Sequence, residues 1–133
     1  MLAMVLASVL GCGELCSADA VTLYASMLEE GGYGRLAFER AGFLIREKSG
    51  TITMAPWNSF RYRHASYQGS IPAGTIAIVH THPLSSRRPS AGDRETSRVT
   101  GLPVVVVTPD TVTAAMPDGH EVTLIGKRAW WRD

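Results

Sequence analysis

Two histidines one residue apart, His80 and His82, close an apolar run, and Ser90 and Asp93 follow shortly after a pair of prolines, Pro83 and Pro89. If the run is a strand, its side chains alternate with a period of two, so both imidazoles leave on one face and can meet one ion. Pro83 ends that strand, which lets the chain fold back and bring the Asp93 carboxylate to the same ion. Two nitrogens and one oxygen leave a fourth position for water, the way catalytic zinc is held; structural zinc is closed by four protein ligands. A metal held so lowers the pKa of its water to about 7 and polarises a carbonyl. Taken singly, each feature has a plainer account. His80 and His82 could be strand histidines with local hydrogen bonds, and Ser90 with Asp93 fits a helix capping box. Together the plain accounts explain less, because capping says nothing of two histidines at the end of a buried strand. A serine at the mouth of a helix could also cap it and still donate a hydrogen bond outward.

The elements that must position these residues are legible as patterns. Ala20, Leu23, Tyr24, Met27 and Leu28 recur at helical spacing across Ala18 to Glu30, and Gly31-Gly32 follows as a stop. Ala37 to Arg46 and Thr51 to Ala55 flank the turn Glu47-Lys48-Ser49-Gly50, a hairpin pattern. Trp57 to Gln68 has no clean periodicity and reads as loop or short helix. The β-branched run Thr75 to His82 reads as a buried strand, Leu84 to Pro89 as loop, and Ser90 to Thr100 as a short helix before Gly101. Val104 to Thr108 is a continuous apolar run typical of a central strand. Val112 to Met116 and Glu121 to Ile125 read as a hairpin about Pro117-Asp118-Gly119-His120. The sum is an α/β (α+β) domain: a mixed β-sheet with a helix on at least one face.

The segment from His80 to Asp93 resembles the signature of the JAMM (JAB/MPN/Mov34-type) zinc metalloproteases, H-x-H, seven residues, then S-x-x-D. Pro83 after the second histidine and Pro89 before the serine match compact bacterial members. The resemblance implies an MPN/cytidine-deaminase-like layered fold and one Zn2+ per chain held by His80, His82 and Asp93. It implies that Ser90 steadies the tetrahedral intermediate. It also implies a glutamate base in an E-x-x-G context on an earlier strand, and Glu39-Arg40-Ala41-Gly42 fits; Glu29 and Glu30 lack that glycine. The likeness spans roughly Leu36 to Thr108. Thr81 replaces the asparagine of the H-N-H-P form found in the RadC-like group, and the chain is too compact for the long insertions with which eukaryotic deubiquitinases grip ubiquitin.

Composition bounds the rest. With 133 residues, 45% of them hydrophobic, the chain suits one ordinary globular domain. A formal net charge of +1 offers no basic field for nucleic acid. Cys12 and Cys16, the only cysteines, both lie near the start, so any metal must be held by nitrogen and oxygen. Residues Met1 to Gly13 are nearly all apolar, too short to span a bilayer as a helix, and run into Ser17-Ala18-Asp19-Ala20. They read as a secretory signal cut after Ala20, leaving one domain over 21–133, or as a lipoprotein leader that puts a membrane anchor on Cys12. A buried helix of a cytosolic protein is the alternative, since no Lys or Arg precedes the run.

The expected activity is cleavage of a peptide or isopeptide bond, in an exported protein. Cell-wall peptides suit an exported enzyme, and a ubiquitin-like tail suits a cytosolic one. Two rivals stay open: a non-catalytic MPN-like interaction module, and a secreted effector or toxin with the same chemistry. Arg87 and Arg88 could steer a carboxylate-bearing substrate. His64 reads as a surface residue near the cleft, His120 as a turn residue, and Trp130 and Trp131 as packing onto the sheet.

Overall fold

The structure is a computed structural model and describes residues 13–34, 39–57, 60–61, 64–65, 70–82 and 88–132. Pro83 and Arg87 lie outside the described residues. A 3-10 turn, Gly13–Cys16, leads into helix α1, Ala18–Glu30. Ser17 caps α1, its hydroxyl accepting from the Ala20 amide, and the Gly31 amide closes the other end on Met27 O. Ala20, Tyr24, Met27 and Leu28 form the buried stripe, matching the sequence periodicity.

Strands β1 (Ala41–Arg46) and β2 (Ile52–Pro56) pair as an antiparallel hairpin. Strand β5 (Thr75–Thr81) lies antiparallel to β1 and parallel to β6 (Val104–Val107), and β7 (Val112–Ala115) and β8 (Glu121–Ile125) complete the sheet. The order is β2-β1-β5-β6-β7-β8. Helix α2, Ala91–Thr100, makes the crossover between the parallel strands, as parallel pairing requires. It stops at Gly101, whose left-handed φ of 73° closes the cap on Ser97 O.

Alternation along the strands divides the core in two. Leu44, Ala77, Val79, Val105, Val107 and Ala114 face α1 and Trp130. Phe43, Ile78, Val104 and Ala115 face the opposite way, against Leu102 and Trp57. Buried Ser97 pins α2 over this second face by donating to Leu102 O and Ala115 O. Helices therefore cover both faces, and β6 is apolar throughout because both its faces are covered.

Two expectations need correction. Within Trp57 to Gln68 the structure has two short strands, β3 (Phe60–Arg61) and β4 (His64–Ala65), paired with each other, in place of loop or helix. β1 starts at Ala41, so Glu39 leads into the strand without belonging to it. α1 itself runs from Ala18 to Glu30, across residue 21. Leu15 and Ala20 are core residues, Ser17 is the cap, and the Tyr24 hydroxyl donates to Leu15 O at 2.8 Å. Among the described residues no helix is long and apolar enough to cross a membrane.

Removing residues 1–20 should therefore destabilise the domain by roughly 3 kcal/mol, the sum of a buried leucine and a lost cap. Urea unfolding of the truncated and full-length proteins checks this; equal midpoints would show that Leu15 and the Ser17 cap contribute nothing to the fold.

Candidate metal centre

The site lies at the edge of the sheet where β5 ends. His80 is paired with Ala41 in the β1–β5 ladder. His82 falls just past the strand, a correction to the expected boundary. The extended path nevertheless continues, because the His82 amide donates to Val107 O of β6 at 3.2 Å. The two imidazoles meet edge to face, with ring centroids 4.6 Å apart.

Asp93 comes to them from the first turn of α2. Ser90 Oγ accepts from the Asp93 amide at 3.1 Å, and Asp93 Oδ2 accepts from the Ser90 amide at 2.8 Å, a reciprocal capping box. The box aims the carboxylate at the histidines. Oδ1 stands 2.8 Å from His80 Nε2, and Oδ2 stands 3.4 Å from His82 Nε2. On the other side of His80, Glu39 Oε1 lies 3.4 Å from Nδ1. Gly42 of the Glu39-x-x-Gly42 segment is needed for close approach of the hairpin. A Cβ there would stand 2.9 Å from Met54 Sδ and 3.0 Å from Ala55 O.

All five residues singled out in the sequence are therefore gathered here, with Ser90 exposed and the other four partly or wholly buried. Ligand atoms around a tetrahedral zinc stand about 3.3 Å apart, given bonds of about 2 Å. The separations to Asp93 bracket that value. His80 Nε2 is buried and completes no hydrogen bond, despite its closeness to Oδ1. A buried nitrogen left so is costly unless an ion or proton takes it up. Ligand atoms of Glu39, His80 and His82 also lie within 4.8 Å of one another, so these three could hold a metal ion as well. The donor set fits a divalent metal ion.

Without an ion, a proton does the holding. Burial pulls the His80 imidazole down, but Asp93 and Glu39 outweigh it and push its pKa up to about 9. Burial pushes the Asp93 carboxyl up, while His80, His82 and the Ser90 amide hold it well below the usual carboxylate range.

The other residues take plainer roles. Arg88 is exposed and forms a two-pronged pair with Glu121 of β8, at 2.8 and 3.2 Å, so its guanidinium is engaged away from the steering role expected of it. His120 pairs with Asp118 at 2.8 Å in the β7–β8 turn. Trp130 is buried and donates to Thr108 O, and Trp131 stacks on Tyr33 with centroids 4.6 Å apart. The backbone of His64 lies opposite that of Arg61 in the small hairpin. What sequence reasoning missed is Thr81, whose hydroxyl accepts from the Arg40 amide beside Glu39; the middle position of H-x-H gave no sign of it.

No family model matches the sequence, and no curated protein is similar to it. Among solved structures, it is similar to a JAB1/MPN domain protein from Archaeoglobus fulgidus, with a TM-score of 0.51 over 79% of this chain and 94% of that one. The fold is that of an MPN domain. At 20% identity the likeness extends to the fold alone, and the site within this MPN fold rests on its own geometry.

The metal-free protein should show a stability window set by the His80–Asp93 pair. The raised His80 pKa contributes stability in full below 6.5, lost as pH rises through about 9. The lowered Asp93 pKa contributes stability above 3.8, lost as pH falls through its folded value. Urea midpoints in chelator should therefore fall on both sides of the range between 3.8 and 6.5. His80→Gln should flatten the alkaline side; an unchanged slope there would show that His80 is not the group.

Proposed function

We propose that this chain is a zinc-dependent hydrolase of the JAMM type, cleaving a peptide or isopeptide bond. The observation that carries the reading is the convergence of His80 and His82 on the two oxygens of one Asp93 carboxylate, with Glu39 beside them. His80, His82 and Asp93 would hold one Zn2+. When bound, the ion supplies Lewis acidity and makes water a competent nucleophile near neutral pH.

The protein's own groups do the rest. The Glu39 carboxylate takes a proton from the attacking water and returns it to the leaving amine. It suits this because it is partly buried, within reach of the centre, and not held in the cap that fixes Asp93. Ser90 is exposed at the mouth of α2, and its oxygen already accepts the Asp93 amide. Its hydroxyl proton remains to be donated to the carbonyl oxygen as negative charge develops there. Asp93, fixed at a helix N-terminus where an anion is favoured, orients both imidazoles at no cost in side-chain freedom when substrate arrives.

For compartment we propose export. The apolar start, Met1 to Gly13, supports it. Peptides of the cell wall or other secreted proteins are then the natural substrates.

Zinc analysis joined to a peptide-library cleavage assay tests the reading. One zinc per chain is expected, with turnover abolished by chelator and restored by zinc. Glu39→Gln should lower kcat by about 10²- to 10⁴-fold while keeping the metal, because the base is not a ligand. Asp93→Asn should lose metal and activity together. Full turnover by Glu39→Gln, or cleavage indifferent to chelator, would remove the mechanism. A zinc-loaded protein that cuts nothing in the library would favour the interaction-module reading.

A further inference from the structure

We propose that Thr81, the residue between the two histidines, is the positioning residue for the Glu39 carboxylate. The inference rests on the reading of Glu39 as proton carrier.

Glu39 stands two residues ahead of β1, beyond the last paired residue, Ala41. A side chain on such a lead-in would swing with its backbone unless something grips the peptide that carries it. Thr81 grips it twice. Its amide donates to Arg40 O at 2.9 Å, and its Oγ1 accepts from the Arg40 amide at 2.9 Å. The Arg40 nitrogen belongs to the same peptide plane as the Glu39 carbonyl, so holding it fixes the plane from which the Glu39 side chain departs.

The hydroxyl is itself held. Thr81 is only 2% exposed. By alternation it faces away from His80, toward the C-terminal end of α1. There Gly31 leaves just enough space: a Cβ on Gly31 would come within 3.2 Å of Thr81 Oγ1 and 3.6 Å of Cγ2. One tripeptide thus sends two imidazoles to the metal centre and, from its opposite face, fixes the approach of the carboxylate to that centre. This sets the spacing between ligands and base within one rigid piece of strand.

Two variants separate this from a merely structural role. Thr81→Val keeps shape and strand preference but cannot accept a hydrogen bond; Thr81→Ser keeps the oxygen. Amide exchange at Arg40, followed by NMR in metal-free protein, should quicken about tenfold in Thr81→Val and stay near wild type in Thr81→Ser. In zinc-loaded protein, Thr81→Val should lower kcat by about 100-fold, the cost of a base misplaced by about 1 Å. KM and zinc content should hold, and Thr81→Ser should recover most of the loss. Wild-type exchange at Arg40 in Thr81→Val, or an unchanged kcat, overturns the proposal. So does loss of zinc from Thr81→Val, which would assign the residue to ligand geometry. Full turnover by Glu39→Gln sinks the parent reading instead, an outcome distinguishable because the Arg40 exchange would still report the grip.

Discussion

The Asp93 carboxylate holds fold and chemistry in one group. One of its oxygens accepts the Ser90 amide and so closes the first turn of α2, and both face the imidazoles of His80 and His82. An ionised carboxylate this far from water is expensive unless paired and hydrogen-bonded. Here the helix N-terminus and two histidines supply that pairing. Helix, strand end and both imidazoles are therefore fastened by a single buried anion.

Topology explains why residues distant in sequence meet at this point. A parallel crossover returns the chain along the sheet, so α2, leaving the end of β5, begins at the edge where β5 has just finished. Its N-terminal turn is the part of the helix nearest the histidines. On the other flank β1 runs antiparallel to β5, so the start of β1 lies against the end of β5. Glu39, leading into β1, arrives at the same edge. One parallel and one antiparallel neighbour around a central strand thus deliver a helix cap and a strand lead-in to a common spot. A wholly antiparallel sheet would have had no such crossover helix to offer.

Most of this frame was legible because its signals are local. Ser17 and Gly31 bracket α1, and Ser90 and Gly101 bracket α2, each through a side chain or a backbone angle that acts within a few residues. The β-branched run into His80 announced a buried strand, and spacing brought His80, His82 and Asp93 forward together, whereas the part of Ser90 and the choice of Glu39 came only from the resemblance to the JAMM signature. What escaped depends on partners far along the chain. β3 and β4 are two residues each, too short to show a period. The segment before residue 21 reads alike as leader or as core, and the seating of Leu15 under Tyr24 depends on a contact the sequence pattern does not show. Thr81 looks like filler between two ligands, because its partner, Arg40, is 41 residues away.

The second role proposed for Ser90 turns on what its hydroxyl can do that other caps cannot. A helix N-cap needs an acceptor, and Ser, Thr, Asp and Asn all provide one. Stabilising an oxyanion needs a donor at nearly the same place. Aspartate offers no proton and would set a second negative charge beside Asp93. Asparagine donates from its nitrogen, displaced from the oxygen that caps. A hydroxyl accepts through a lone pair and donates through its proton at one atom, so the capping bond that fixes Oγ also fixes the origin from which the proton can be offered. The exposure of Ser90 beside a buried Asp93 then has a physical sense: the carboxylate must face the centre, and the hydroxyl must face whatever arrives from solvent.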